Sequence, residues 1–545
     1  MAAKRDEQCD VVVLGSGVAG LSTAIASQTL GLRTVLLEKA ARIGGGTSYS
    51  AALVWVGSNH LAKAAGIDDK PEAVLEYMHF IGGGQQVPEN MHAFVSQSPA
   101  ALKFFERCGV PFRLVKGVPD HYFGIAPGAL AFGRSVEADL VSGAVLGPWR
   151  ERVVRPDNTP YRMTAEELVS WGGMNDFSSW DSRLMEERRR NDVRGLGVGL
   201  VTHLLRCALQ AGVDIRTRHA AGEILFKEDA ATGVVLGNGK TLRARRGVVI
   251  ATGGYESNPQ LVSDYEGLPG YHSMYPDSLQ GDGLVLGSRA GGAVHLVQNH
   301  MQLFLGFPVP VAGSGKRGAK GRFELRLAGI IEMCSPHTIV VNQSGRRFAD
   351  ESYFQHMVPK LREFDTGRHV YTNLPCFLLF DQQYAQRYSF AGRAAGEPVP
   401  DYVQRAGTLP ALAKALGIAP QGLAQTVQRF NGFVERGKDE DFGRGQVKWT
   451  LAAEQRGGAP RSLGTLSKPP FYGLELRPSA ASSAGLLTNR HAQLLRHDRS
   501  PIKGLYALGN AAARIEYGVG YQAGFTMASG MTFGLLAARH MRKAR

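Results

Sequence analysis

The run Asp10 to Leu14 is short, apolar and rich in valine, and it ends directly on Gly15-Ser16-Gly17-Val18-Ala19-Gly20. The residues that follow, Leu21 to Leu30, have helical composition. A strand, a glycine turn and a helix at that spacing leave few folds open. The first glycine makes the turn, the second lets backbone approach a pyrophosphate, and the third lets helix pack on strand. The helix N-terminus then offers free N–H groups and partial positive charge to the phosphates. Thr34 to Leu37 reads as a second strand ending at Glu38, about twenty residues on, where a carboxylate would accept ribose hydroxyls. The unit is a βαβ with a buried parallel sheet. It points to an ADP-containing dinucleotide held at Gly15, Gly17, Val18, Ala19, Gly20 and Glu38, with Lys39 beside them.

At 545 residues the chain is too long for one compact core, so two or more domains are expected. Helices are predicted at Met91 to Arg107 and Gly199 to Ala211, the second feeding a strand at Val213 to Ile215. Short runs at Gly222 to Lys227, Thr232 to Leu236 and Thr241 to Ala251, separated by Gly and Asn-Gly turns, read as a meander returning to the sheet. From about Gln298 to Lys468 aromatics and methionines become frequent and the βα rhythm fades, which marks an inserted domain. Sheet motifs resume at Gly485 to Leu495 and Leu505 to Asn510, before a long Ala/Gly/Met helix closes the chain.

Right after the acidic strand end comes a second glycine-rich loop, Arg42-Ile43-Gly44-Gly45-Gly46-Thr47-Ser48. Val248 to Gly254, Gly281-Asp282-Gly283-Leu284 and Gly504 to Asn510 follow in order along the chain. Together these segments resemble the fumarate reductase and 3-ketosteroid dehydrogenase flavoproteins. The resemblance implies FAD and adds Gly45, Gly46, Thr47, Ser48, Ala251, Thr252, Gly253, Asp282, Gly509 and Asn510 to the residues that would hold it. No His stands in the loop where covalently flavinylated relatives attach FAD, so a dissociable cofactor is expected. The implied architecture is α/β. A Rossmann-like FAD-binding domain of the glutathione-reductase type would lie in two pieces, 1–296 and 475–545, around an α+β substrate domain at 297–474.

Gly518 to Gly534 looks like the last loop and helix of that family, whose start, here Gly524, Phe525 and Thr526, would aim N–H groups at the flavin. Fumarate reductases place an arginine near position 521, because a dicarboxylate needs a bidentate cation. Tyr521 stands here instead, which points to a neutral carbonyl. In the ketosteroid dehydrogenases a tyrosine hydroxyl and, four residues on, a glycine N–H hold the ketone oxygen. Counted without gaps, Gly524 matches that glycine and Gly520 falls at the tyrosine position, with Tyr521 its neighbour. Asn342 to Tyr353 resembles the segment before the family's tyrosine base; two residues beyond Tyr353 this chain has Gln355. Pro119-Asp120-His121-Tyr122 resembles a further pocket segment. Tyr521 with Gly524 therefore fits the oxyanion role, and Tyr353 or Tyr122 the base role, with His300 and His337 as alternatives. The resemblance implies α,β-desaturation of a cyclic ketone, either a small cyclohexanone-type ring or a 3-ketosteroid. The same chemistry run backwards, as a fumarate-reductase-like reduction of an activated C=C bond, is the alternative, and a flavin-binding sensor without turnover is the third class. The electron acceptor is expected to be a quinone, a dye-like molecule or a protein, since no second glycine motif in βαβ context offers a nicotinamide site.

The net charge of +14 carries its only dense basic runs at Arg188 to Arg190 and Arg539 to Arg545. Neither is interleaved with aromatics, so no nucleic-acid partner is expected, while the basic C-terminal tail leaves room for peripheral contact with anionic lipid. Five scattered cysteines without a CxxC pair argue for reduced thiols and a cytoplasmic protein, and against a metal ribbon. No apolar signal segment or run of twenty apolar residues stands out, so no transmembrane span is expected.

Overall fold

The computed structural model describes residues 7–157, 160–174, 177–310, 323–327, 332–450 and 462–544. Its main sheet runs Gln493–Leu495, Pro501–Ala507, Ala230–Leu236, Thr241–Ile250, Glu7–Leu14, Thr34–Glu38, Asp214–Thr217, with Ala221–Lys227 added on Ala230–Leu236. Glu7–Leu14 sits in the middle, parallel to both neighbours, with Leu14 opposite Leu37 on one side and Ile250 on the other. Ile250 in turn faces Ala507 of another parallel strand. Three strands far apart in sequence thus end in one row with the first, and their carboxyl ends open onto the edge where the glycine turn lies. In open α/β sheets that edge is the ligand edge.

The central strand is buried on both faces, with Val11, Val12 and Val13 fully covered, which is why it reads as a continuous apolar run. Helix Val18–Thr29 covers one face and is covered in turn by the closing helix Phe525–Lys543. Small residues set that approach. A Cβ at Gly530 would stand 3.2 Å from Ala19, and one at Gly534 2.9 Å from the Thr23 hydroxyl. The predicted meander forms Ala221–Lys227, Ala230–Leu236 and Thr241–Ile250 by antiparallel steps before rejoining the parallel set. The basic tail is the last turn of the closing helix, where Arg539 reaches the Gln97 side chain.

The inserted domain is an antiparallel sheet ordered Phe323–Leu327, Leu303–Pro310, Phe471–Ala480, Cys376–Asp381, Thr338–Asn342. Its strands alternate between two apolar layers. Val340, Leu378 and Phe380 join one cluster, and Ile339, Val341, Phe377 and Leu379 join the other, where helices Leu409–Leu416 and Pro420–Arg436 cover them. Phe471–Ala480 lies inside this sheet, so the boundary expected between 474 and 475 falls within a strand. The chain crosses back only after Ala480, where Ala484–Leu486 pairs with Val294–Leu296. The long apolar and aromatic content of that strand hid the crossing point. Residues 39–195, counted with the cofactor domain, hold helices Pro71–Gly82 and Pro88–Arg107 and a small sheet of Val54–Trp55, Ser135–Ala138 and Phe112–Leu114. None of the five cysteines forms a disulfide, and among the described residues no helix is long and apolar enough to cross a membrane.

A buried charge network pins the segment that leads to Tyr353. Arg347 donates to Glu351 through two 2.7 Å bonds and to Asp439 at 2.9 and 3.2 Å, while Arg444 reaches Glu351 at 3.3 Å and the carbonyls of Met333, Ser335 and Thr338. The Phe430 ring lies 4.7 Å from the Arg347 guanidinium. Replacing Arg347 by Met leaves buried Asp439 without a guanidinium and Glu351 with only its longer Arg444 contact, an error that costs on the order of 3–5 kcal/mol. The Arg347→Met protein is expected to unfold at clearly lower denaturant than the wild type in equilibrium unfolding followed by circular dichroism.

Candidate active site

The glycine turn is shaped by close approaches that only its residue types allow. Gly15 has φ of 101°, and a Cβ there would collide with the Ala251 carbonyl oxygen. A Cβ at Gly17 would meet nothing closer than the Thr47 hydroxyl at 3.4 Å. Packing within the protein therefore does not demand glycine at 17, and the space it leaves is the space a pyrophosphate needs. Ser16 donates its N–H at 3.1 Å and its hydroxyl at 2.6 Å to one Glu38 oxygen, and the Ala40 N–H bonds the other at 2.8 Å. Burial raises the Glu38 carboxyl above its ordinary value against the pull of those bonds.

The second glycine loop folds as a short 3₁₀ turn, Gly45–Tyr49, directly over the first. Thr47 accepts the Val18 N–H at 3.0 Å through its hydroxyl, and the Gly44 N–H reaches the Ser16 hydroxyl at 3.1 Å. The Val18 N–H is thus taken by a side chain, which leaves Ala19 and Gly20 as the open start of the helix. Lys39 pairs with Asp282, joining two expected cofactor residues from distant parts of the chain. Gly253 has φ of 77° with Leu279 against it, and a Cβ at Gly509 would stand 2.8 Å from that of Ala19, so the Gly509 turn closes on the helix start. Gly46 meets Leu279 from the Gly281–Asp282 side.

Around this edge several buried polar atoms have no protein partner: the Ser48 and Thr252 hydroxyls, the Asn510 side-chain oxygen and one Glu256 oxygen. The large majority of buried polar groups in native proteins have a hydrogen-bond partner. Their position along the sheet edge, over a glycine cradle and a helix N-terminus, fits an extended dinucleotide such as FAD.

Gly524 opens the closing helix with φ of 97°, and a Cβ there would stand 2.6 Å from the Trp55 nitrogen, whose N–H donates to the Gly524 carbonyl at 3.2 Å. Only glycine fits. Phe525 turns its ring inward against Trp55 and Tyr517, with centroids 4.8 and 4.6 Å away, so only its backbone is available to a cofactor. The Thr526 hydroxyl lowers the Tyr517 phenol against the burial that raises it.

Tyr521 is ringed by His121, Phe304 and Phe354 at 5.1, 5.4 and 5.7 Å, and its hydroxyl has no partner among the described residues. Burial pushes that phenol up to about 12, with Arg514 pulling it the other way. Arg514 itself is engaged by Gln302, the Ser482 carbonyl at 2.5 Å and His300 at 3.3 Å. The Tyr521 backbone pulls the Tyr122 phenol down, while burial raises it well above the ordinary phenol value. Tyr122 and Tyr521 are therefore brought together. Tyr353 is held differently: its hydroxyl donates to the His121 carbonyl at 2.8 Å and its side chain is buried, so it braces the cage instead of facing it.

Neither alternative histidine joins the cage. His300 bridges Glu266 and Arg514, both at 3.3 Å, and His337 bonds the Thr465 carbonyl at 2.7 Å. Sequence reasoning passed over His121 and Gln522. The Gln522 side-chain oxygen takes both the His121 N–H and the Tyr77 hydroxyl at 2.7 Å. It also passed over the charge set behind them, in which Asp120 accepts from Trp55 Nε1 at 2.7 Å and from Arg134 at 2.9 Å. Arg134 is bonded on its other side by Asp69. The Asp-His-Tyr run was the available signal for His121; nothing local marked Gln522.

Comparison with known proteins places this geometry. The FAD binding domain family matches residues 10–526. The 4-oxocyclohexanecarboxylate 2-dehydrogenase of Sinomonas cyclohexanicum is 34% identical over 97% of this chain and 92% of its own. The 3-oxosteroid 1-dehydrogenase of Mycobacterium tuberculosis (strain ATCC 25618 / H37Rv) is 31% identical over 98% of each. Among solved structures, the 3-ketosteroid delta1-dehydrogenase of Sterolibacterium denitrificans, in complex with 1,4-androstadiene-3,17-dione, superimposes with a TM-score of 0.86 at 25% identity, over 99% of this chain and 100% of that one.

The buried histidines give the site an acid limit. Burial lowers His300 from 6.5 to about 4, so between those values the unfolded chain binds a proton that the folded one refuses. Its contribution is fully present above pH 6.5 and is lost as pH falls, at up to about 1.4 kcal/mol per pH unit. His300→Gln keeps hydrogen-bonding capacity without the titration. Unfolding midpoints measured from pH 7 to pH 4.5 are expected to fall less steeply in His300→Gln than in the wild type.

Proposed function

The chain belongs to the FAD binding domain family and is an FAD-dependent oxidoreductase of the ketosteroid and cyclohexanone dehydrogenase type; from that premise we propose that it desaturates a cyclic ketone to the enone. The observation that carries the reading is the open Tyr521 hydroxyl inside an aromatic cage, beside a glycine helix start, with its neighbouring cation already engaged. A neutral carbonyl needs neutral donors in a water-poor site, whereas a dicarboxylate needs a free bidentate cation. The substrate class is a six-membered ring ketone with a saturated CH–CH bond beside its carbonyl, alone or as part of a steroid.

Bound FAD supplies the hydride acceptor. The protein's part is to hold and deprotonate the ketone. The Tyr521 hydroxyl and the Gly524 N–H grip the carbonyl oxygen and stabilise the charge that develops on it when the α proton leaves. Tyr122 takes that proton, because Tyr353 is committed to the His121 carbonyl. The Tyr521 backbone favours the Tyr122 phenolate, and burial opposes it. Phe304, Phe354 and Trp449 keep water out. The electrons leave to a quinone or small carrier protein, for which an artificial dye can stand in.

Anaerobic mixing with cyclohexanone and with androstenedione tests this by the loss of the flavin visible band. Wild-type protein is expected to bleach with at least one of them, faster as pH rises from 7 to 10, because the Tyr122 phenolate becomes more populated. Tyr521→Phe is expected to slow bleaching by about 10²–10³-fold with FAD still bound. If no cyclic ketone bleaches the flavin, the reading is wrong.

A further inference from the structure

His121 is the most tightly held residue of the cage, and one of its atoms is free. Its main-chain N–H bonds Gln522 at 2.7 Å, and its carbonyl accepts the Tyr353 hydroxyl at 2.8 Å. Its Nδ1 lies 3.0 Å from Gln355 Nε2. The preceding Asp120 is locked by Trp55, Arg134 and the Leu130 N–H. The residue is 6% exposed and its ring packs against Tyr521, Trp449 and Phe354, with centroids 5.1, 5.6 and 5.8 Å away. Nε2 makes no hydrogen bond among the described residues. A backbone fixed at two points beside a locked neighbour, a ring fixed at one nitrogen and an unpaired second nitrogen beside an open phenol describe a pre-organised binding group.

The proton inventory decides which kind of group it is. With the Gln355 amide nitrogen as the atom facing Nδ1, that nitrogen can only donate, and this assignment puts the neutral ring's own proton on Nε2; it leaves the Gln355 side-chain oxygen buried without a protein partner. The ring Nε2 is then a donor and has no lone pair with which to act as a base. Burial lowers the imidazole to about 3, so the ring stays neutral across the working pH range. A neutral imidazole N–H in a dry site is an established way to polarise a carbonyl.

We propose that His121 Nε2–H is an additional oxyanion donor to the substrate carbonyl, and that Gln355 is the positioning residue that holds the imidazole in the donating tautomer. This rests on the ketone reading above and deepens it. It also gives position 355 a function: where the family resemblance would put a tyrosine base, an amide here sets a tautomer.

The test uses the holoenzyme with whichever cyclic ketone bleaches the wild type fastest, measuring the limiting rate of flavin reduction and the half-saturating ketone concentration. Visible spectra and thermal midpoints confirm bound FAD and an intact fold. His121→Phe is expected to lose about 10²–10³-fold in limiting rate with a smaller change in half-saturation. His121→Gln, which offers an amide N–H, is expected to recover a substantial part of that loss. Gln355→Glu keeps the ring but takes the Nδ1 hydrogen, which turns Nε2 into an acceptor. It is expected to be slow like His121→Phe, and it carries the test if His121→Phe does not fold.

The proposal is overturned if His121→Phe stays within about threefold of wild type. It is equally overturned if His121→Gln is as slow as His121→Phe, or if Gln355→Glu reduces its flavin at the wild-type rate. A wild type that no cyclic ketone bleaches refutes the ketone reading itself, whereas a wild type that bleaches beside variants that break this order refutes the donor role alone.

Discussion

The close approach of the Gly15 turn to the Ala251 carbonyl is the constraint on which the molecule depends, because two neighbouring strands end there and both must turn in the same small volume. Parallel pairing through Leu37, Leu14, Ile250 and Ala507 brings in the ends of the other two. The Gly509 turn then closes on Ala19, and the closing helix packs its own glycines on Ala19 and Thr23. A side chain at any of these contacts would separate the helix start from the sheet edge. The FAD cradle and the packing of the outer helix are therefore one arrangement, and neither can be loosened without the other.

A second chain of contacts links this cradle to the cage. Asp69 and Asp120 hold Arg134, whose guanidinium lies over Trp55 and Tyr77 at 5.4 and 5.6 Å. Asp120 also takes the indole N–H of Trp55, and the Trp55 backbone takes the Gly524 carbonyl. Buried ions contribute little net stability once desolvation is counted. Here they set position: one charge network fixes His121 through its neighbour and the helix start through Trp55.

The cofactor half of this architecture was legible because its signals are local. Gly15 to Gly20, Glu38 and the loop at Gly45 to Ser48 each declare a turn or a strand end within a few residues, and the parallel sheet follows from them. The cage was legible only in part. Tyr521, Tyr122 and Gly524 stand close to family positions, but Phe304, Phe354, Trp449 and Gln522 meet only through tertiary packing, and no spacing announces that. Tyr353 shows the limit of position counting. Its hydroxyl is the right kind of group near the right place, yet the register of the Asp350–Gln355 turn sends it to a backbone carbonyl. The crossing at Ala480 was missed for a related reason, since a strand shared by composition with its surroundings carries no mark of the sheet it joins.

Burial raises both open phenols, which serves one proposed role and opposes the other. A donor to a developing oxyanion must stay protonated, so the desolvation that pushes Tyr521 up to about 12 serves it. A base must give up its proton, so the same desolvation opposes Tyr122, and the pull of the Tyr521 backbone offsets part of that cost. Environments that push like groups toward different protonation states are how a site assigns acid and base. A neutral His121 fits the same logic: in a cage too dry to hold an unpaired cation, N–H and O–H donors are the groups that can grip a ketone without first having to shed charge.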